Sequence, residues 1–311
     1  MEYAFIINPI SGSGQKAGRL AAKVRKMAEK NPHYRCYVTA GEKDATVLAG
    51  MIAEEAERNG RDVIVYACGG DGTIQETAIG LLGREHVRLG VIPIGSGNDF
   101  VRSFDEPGAF EDPARQRSAK PKRIDMLRYT WTEGDKVRTG YAVNGINIGF
   151  DGNTAILAHS LKEVPMVQGT ASYALAIIVN LIRKKGANLR VTADGKPVYD
   201  GPLIMCTAAN GRFCGGGVES CPRARMDNGK IELLVVGNIS RRYFLKVFPK
   251  FKSGRVFEIP DVQRHICSLQ AGQVKIEPAG GTMKFVADGE ILETGALTVD
   301  VIPGALTVMV P

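Results

Sequence analysis

Between residues 3 and about 104, short apolar runs alternate with amphipathic stretches, and this alternation restricts the fold more than any other feature. Tyr3-Ala4-Phe5-Ile6-Ile7 is a continuous apolar run, as expected of a strand buried on both faces. Residues 15–30 follow, with Leu20, Val24 and Met27 spaced for one helical face. Residues 34–38 read as a second strand, 44–58 as a second helix, 62–68 as a third strand, 73–82 as a third helix and 89–93 as a fourth strand. Strand–helix repeats with short connections form a parallel sheet covered by helices. Ligands of such sheets lie beyond the carboxyl ends of the strands. Every glycine-rich stretch in this half falls there.

The pattern then changes. Residues 105–123, with Pro107, Pro113 and Pro121 among mixed charges, read as a linker or surface excursion. Beyond them, short alternating runs at 141–148, 188–193, 203–208, 231–236, 274–277, 283–287 and 297–301 predict mainly antiparallel β structure. Asp194-Gly195 and Asp288-Gly289 separate such runs as hairpin turns would, and Asn228-Gly229 immediately precedes one. Helical stretches interrupt at 171–185 and 241–250. With 311 residues, 44% hydrophobic and 23% charged, the chain can bury about two domain cores, which excludes extended disorder. Its longest mostly apolar run, 171–182, falls short of the ~20 residues that cross a bilayer. No signal-peptide pattern opens the chain, and its six cysteines form no CxxC pair. Reduced thiols and a cytoplasmic location are therefore expected, with Cys68 as a packing residue rather than a nucleophile. The net charge of +7 suits anionic partners, whether nucleotides, lipid headgroups or nucleic acid, and selects none of them.

Three loops could carry chemistry. Asn8-Pro9-Ile10-Ser11-Gly12-Ser13-Gly14 lies between the first strand and helix, where glycines let a phosphate approach the backbone and a helix N-terminus offers free N–H groups. Taken alone it also fits a dinucleotide fingerprint, but the second strand ends in Val38-Thr39-Ala40 without a carboxylate for a ribose, and the Walker A spacing is absent. Gly69-Gly70-Asp71-Gly72-Thr73 follows the third strand, with Thr73 placed to cap the next helix. Asp71 is out of place in an anion cradle unless a cation accompanies the anion, as Mg²⁺ accompanies a nucleotide. Pro93-Ile94-Gly95-Ser96-Gly97-Asn98-Asp99-Phe100 repeats the formula after the fourth strand. Each loop alone also reads as a plain strand–helix turn. Three on neighbouring strand ends favour phosphate binding with a metal. A nucleic-acid binder would explain the charge but not the acidic residues among these glycines.

Together these motifs resemble the diacylglycerol kinase catalytic-domain family, which includes soluble bacterial lipid kinases and the sphingosine and ceramide kinases. The GGDGT element is shared with NAD kinases, whereas GSGNDF narrows the choice to lipid kinases. Lys122-Arg123-Ile124-Asp125, Asn147-x-Gly149-Phe150-Asp151 and the ending Pro303-Gly304-Ala305-Leu306 extend the resemblance along the chain. It implies a Rossmann-like parallel α/β domain over 1–123, to which about 295–311 return, and a mainly antiparallel β-sandwich over 124–294. It further implies an active site in the interdomain cleft and ATP-dependent, Mg²⁺-dependent phosphorylation of a lipid hydroxyl, diacylglycerol to phosphatidic acid by default. ATP is then expected against Asn8, Pro9, Ile10, Ser11, Gly12, Thr39, Gly69, Gly70, Asp71, Gly72, Thr73, Ile74, Gln75, Ser96, Asn98 and Asp99. Asp71 and Asp99 would act through the nucleotide metal, with Lys16, Arg19 and Arg102 as further cations nearby.

The resemblance makes Asp288 and Glu290 the catalytic pair and leaves open which is the base; without it, Asp288-Gly289 reads first as a hairpin turn. It also implies a second, structural Mg²⁺ held by the backbone carbonyls of Arg225 and Lys230 and by Asn228, with Asp227 as a substitute carboxylate. Here Asn228 stands where the family usually has Asp, so an Asn-Gly turn without metal is an equal reading. The lipid would be met at the inner membrane surface by a peripheral protein; a homodimer is left open. Arg241-Arg242-Tyr243-Phe244-Leu245-Lys246 onwards mixes basic and aromatic residues as interfacial segments do, assisted by Arg183-Lys184-Lys185, although a core-packed helix explains the former better. The alternatives are an NAD kinase-like enzyme acting on a soluble substrate, or a nucleotide-binding regulatory protein without turnover. With four histidines, no HExxH and no G-x-S-x-G elbow, the sequence gives a hydrolase no support.

Overall fold

A computed structural model describes residues 1–149 and 186–311. The expected helix at 171–185, with its basic end Arg183-Lys184-Lys185, and Phe150 and Asp151 lie outside the described residues. The chain divides into two compact units, Met1–Asp125 with Gly304–Pro311, and Met126–Pro303.

The first unit is built on a parallel sheet in the order β2-β1-β3-β4. Its strands are β1 (Glu2–Ile7), β2 (Tyr34–Val38), β3 (Val63–Gly69) and β4 (Val87–Pro93). All seven residues of β3 are buried, which explains why its sequence runs apolar without alternation. Helix α1 (Gln15–Lys30) buries Ala17, Ala21 and Val24, while α2 (Asp44–Asn59) buries an alanine-rich stripe with Ile52. Helix α3 (Asp71–Leu81) leaves the end of β3 and packs on α2 through small residues. There a Cβ on Gly80 would meet the Thr46 carbonyl oxygen at 2.5 Å. After a short helix α4 (Asp99–Arg102), residues 105–123, expected as a linker or surface excursion, are mostly exposed but anchored to this unit. Phe104, Ala109 and Phe110 are buried, the rings of Phe104 and Phe110 lie 5.3 Å apart, and α5 (Pro113–Arg117) is capped by Asp112. Hydrophobic burial thus anchors the proline-rich segment. The chain's last strand returns to this unit, where Val308 pairs in parallel with Leu89, and the Arg123 guanidinium donates two hydrogen bonds to the Gly304 carbonyl.

The second unit is an antiparallel β-sandwich. It begins within β5 (Lys120–Glu133), which forms a hairpin with β6 (Lys136–Ala142). The run expected at 141–148 is divided: β6 stops at Ala142 and β7 (Gly145–Gly149) begins after a two-residue break. Strands β8 (Ala187–Ala193) and β9 (Lys196–Ala209) turn through Asp194-Gly195, both at positive φ, as the Asp-Gly pair predicts. Strand β10 (Ile231–Gly237) lies between β9 and β11 (Ile266–Ala271). Then follow β12 (Gln273–Pro278), β13 (Met283–Ala287), β14 (Glu290–Thr294) and β15 (Leu297–Val310). In β10, Ile231, Leu233 and Val235 enter the sandwich core, whereas Leu234 and Val236 enter a second core. The second core lies under helix α6 (Arg241–Lys252), whose Phe244 and Val247 are buried and whose Tyr243, Phe248 and Phe251 pack against it. The aromatic residues of 241–252 therefore serve packing, leaving Leu245 and the basic residues outward.

Candidate active site

The three glycine loops of the first unit come together at the carboxyl ends of its strands. Gly12, at φ +58°, lies so close to the third loop that a Cβ there would sit 2.4 Å from the Ile94 carbonyl oxygen. A Cβ on Gly95 would sit 2.4 Å from the Gly70 Cα. No residue with a side chain fits either position without displacing backbone, so glycine is needed for the approach itself. Hydrogen bonds lock the assembly. The Ile94 and Gly95 N–H groups donate to the Gly69 carbonyl at 3.0 and 3.2 Å. Asn8 donates through Nδ2 to Thr73 Oγ1 at 3.2 Å, and its Oδ1 accepts the Ile10 N–H. Asp71 Oδ1 accepts the Phe100 N–H at 3.0 Å, which draws its carboxylate to the start of α4, beside buried Asp99. Thr39 N–H donates to the Ile7 carbonyl, carrying Thr39 to the end of β1.

Of the residues expected at the nucleotide, the structure thus gathers Asn8, Gly12, Thr39, Gly69, Gly70, Asp71, Thr73 and Asp99 within one loop cluster. Pro9, Ile10 and Ser96 stand exposed on its loops, Ser11 opens a short 3-10 turn, and Gly72, Ile74 and Gln75 lie in the first turns of α3. Thr73 is not the helix cap. Helix α3 starts at Asp71 with Gly70 as N-cap, so Thr73 falls inside the first turn, where its hydroxyl receives Asn8. Asn98, at φ +56°, donates to the Gly95 carbonyl and has its Oδ1 buried without a hydrogen-bond partner. Lys16 and Arg19 are exposed on α1, and Arg102 Nε donates to the Gly97 carbonyl. A backbone cradle at a helix N-terminus, two adjacent carboxylates and an unfilled amide oxygen fit a phosphate chain with a hard cation. Among the described residues, no three or more His, Cys, Asp or Glu side chains form a metal cluster. Cys68 is fully buried, and burial pushes its thiol well above the ordinary range, as expected of a packing residue.

In the second unit, Asp288 and Glu290 flank a turn rather than sharing a strand: β13 ends at Ala287, Asp288 and Gly289 take positive φ, and β14 begins at Glu290. The two carboxylates therefore do not share the side-to-side alternation of one strand. Asp288 accepts hydrogen bonds from the backbone N–H groups of Val143, Asn144 and Gly145, the break between β6 and β7. Its own N–H donates to the Gly145 carbonyl. Glu290 is exposed at the first position of β14. Tyr129, nearby, has its hydroxyl pKa raised by burial and then by the charges of Glu290 and Asp288. The 143–145 cradle and Asn144 escaped the sequence reading. The interruption of an alternating apolar run by Asn144-Gly145 was the available signal.

At the expected structural metal site, Asn228 Oδ1 accepts the Lys230 N–H at 3.1 Å, and Gly229 takes φ +64°. Asp227 meets Arg225 at 3.2 Å. These contacts build the Asn-Gly turn that the sequence also reads without a metal.

A phosphate-loop α/β unit with an antiparallel sandwich is the architecture of the NAD kinase and diacylglycerol kinase structures. Residues 2–129 match the model of the Diacylglycerol kinase catalytic domain, and residues 145–310 that of the YegS C-terminal NAD kinase beta sandwich-like domain. The chain belongs to this diacylglycerol kinase and YegS family. It is 25% identical to a protein named "Diacylglycerol kinase" from Mycobacterium tuberculosis, over 98% of this chain and 94% of that one. It is 28% identical to the "Probable lipid kinase YegS-like" of Pseudomonas aeruginosa, over 96% and 92%. A diacylglycerol kinase structure from Bacillus anthracis has the same fold, with a TM-score of 0.70 at 21% identity, covering 100% of this chain and 97% of that one. Yeast NADH kinase shares it more distantly, with a TM-score of 0.55 at 13% identity and coverage of 100% and 84%.

Proposed function

We propose that this protein transfers the γ-phosphate of ATP to a lipid hydroxyl, converting diacylglycerol to phosphatidic acid. The observation that carries this reading is the contact of three glycine loops at Gly12–Ile94 and Gly70–Gly95, which leaves their backbones as one cradle. Family membership and relatives named as lipid kinases support the lipid as acceptor over a soluble one.

In this reading the loops around residues 8–12, 69–75 and 96–99, with Thr39 beside them, would hold ATP, and Asp71 and Asp99 would hold Mg²⁺. Bound Mg²⁺ would neutralise charge on the phosphates. Phosphoryl transfer leaves the protein mainly to position the reactants and to orient or deprotonate the attacking hydroxyl. Asp288 has its carboxylate engaged by three backbone N–H groups. It serves best as the anchor of the turn. Exposed Glu290 takes the hydroxyl proton.

The test is a radiolabelled-ATP assay against a panel of lipids and NAD, with Asp71→Ala as control. Label on diacylglycerol that disappears in the variant supports the proposal. Label on NAD and on no lipid refutes it in favour of an NAD kinase-like activity. No label on any acceptor, with nucleotide still bound, supports a regulatory protein without turnover.

A further inference from the structure

Two helices, α1 and α6, each carry a net charge of +5, and in α6 Lys250 pairs with Glu258. Helix α1 carries Lys16, Arg19, Lys23, Arg25, Lys26 and Lys30 against a single acid, Glu29. Five of the six basic residues (16, 19, 23, 26 and 30) recur every three or four positions. At 100° per residue they fall within an arc of about 80°. All five are exposed, while Ala17, Ala21 and Val24 bury the adjoining arc. Arg25 points elsewhere, beside the Cys36 thiol. Among the described residues none of the five takes part in an ion pair, so the stripe is not neutralised by its own fold. At 1.5 Å per residue it runs about 21 Å along the helix. Six residues before its first lysine, in the loop that feeds the helix, Ile10 is 83% exposed, the most exposed large apolar side chain described.

We propose that this face of α1 docks the protein on an anionic lipid bilayer, with Ile10 entering the interface. This rests on the reading of the chain as a kinase of membrane lipids. A row of unpaired cations complements a negatively charged leaflet, each contributing a similar increment close to the surface. An exposed isoleucine at the head of the row is what favours a bilayer over nucleic acid, since a phosphate backbone offers it nothing to bury against. The stripe begins beside the phosphate loop, so docking would bring the first unit's candidate site to the surface that holds the substrate.

The full-length protein is sedimented with phosphatidylcholine vesicles containing or lacking phosphatidylglycerol, at low and high salt. The variant Lys23→Gln/Lys26→Gln/Lys30→Gln is compared, after its thermal melt has shown it folded. Wild type is expected to bind only the anionic vesicles and to be released by salt, as screening demands. The variant is expected to bind at least tenfold more weakly, and on the order of 100-fold if the three charges act independently. Transfer to short-chain diacylglycerol in neutral detergent micelles should not change. Equal sedimentation of variant and wild type overturns the proposal, as does equal binding to neutral vesicles. Competition by duplex DNA as strong as that by anionic vesicles reassigns the stripe to nucleic acid. If vesicle binding follows charge but micelles show no transfer, docking stands and the kinase reading fails.

Discussion

Gly95 shows how little freedom single residues have in the cradle. A methyl group there meets the Gly70 Cα at 2.4 Å, so Gly95→Ala must push two loops apart. Isothermal titration should show MgATP affinity reduced at least tenfold, with a smaller change in melting temperature. Asp288 and Glu290 should separate by type of defect. Asp288→Asn removes the charge that three backbone N–H groups share and should cost about 2–3 kcal/mol of stability along with activity. Glu290→Gln should leave the melt unchanged and lower kcat by 100-fold or more. A large stability loss in Glu290→Gln with kcat intact would reverse the assignment. Glu232 makes a different point. It is 2% exposed, Ser268 donates to its Oε1, its Oε2 has no partner, and burial raises its pKa above 4.5. A raised folded-state pKa stabilises below the unfolded value, and that contribution is lost as pH rises through the folded one. Glu232→Gln should therefore raise the melting temperature at pH 8 and have little effect near pH 4. A drop at pH 8 would show that the charge is stabilising there.

At the scale of elements, the parallel half was legible because strands buried on both faces spell continuous apolar runs, as in β3, and because glycine loops fall at their ends. The hairpin turns at Asp194-Gly195 and Asp288-Gly289 were legible for the same local reason: Asp-Gly supplies two positive φ angles cheaply. What depended on tertiary contact was not. Residues 105–123 read as a linker or surface excursion, and most are exposed, yet Phe110 is 1% exposed, because charge and proline counts do not reveal which aromatic finds a partner. Thr73 read as a cap, but the partner that decides its role is Asn8, 65 positions away. Ser240 Oγ caps helix α6 by accepting the Tyr243 N–H, whereas its aromatic face could be assigned to core or membrane only by the cluster beneath it. Ser240→Ala should cost about 1 kcal/mol in urea unfolding. Phe244→Ala should cost about 3–5 kcal/mol. Phe244→Ala with unaltered stability would argue against the packed helix.

For the molecule as a whole, the chain's last residues matter beyond their number. Leu306, Val308 and Met309 are buried in the first unit, and Val308 pairs with Leu89. Removing residues 304–311 should lower the unfolding temperature of that unit by calorimetry, although its glycine loops lie at least 200 positions earlier in the chain. The return of the terminus came from the family resemblance alone; nothing in the local pattern of 297–310 states which strand it joins. The account rests on one claim, that the loops after β1, β3 and β4 hold a nucleotide's phosphates. A crystal grown with Mg²⁺ and a non-hydrolysable ATP analogue tests it directly. Triphosphate density on the backbone of residues 8–12, 69–73 and 95–98, with Asp71 or Asp99 facing the metal through water, is the predicted result. Ordered nucleotide elsewhere, with those three loops unchanged and unliganded, would contradict it.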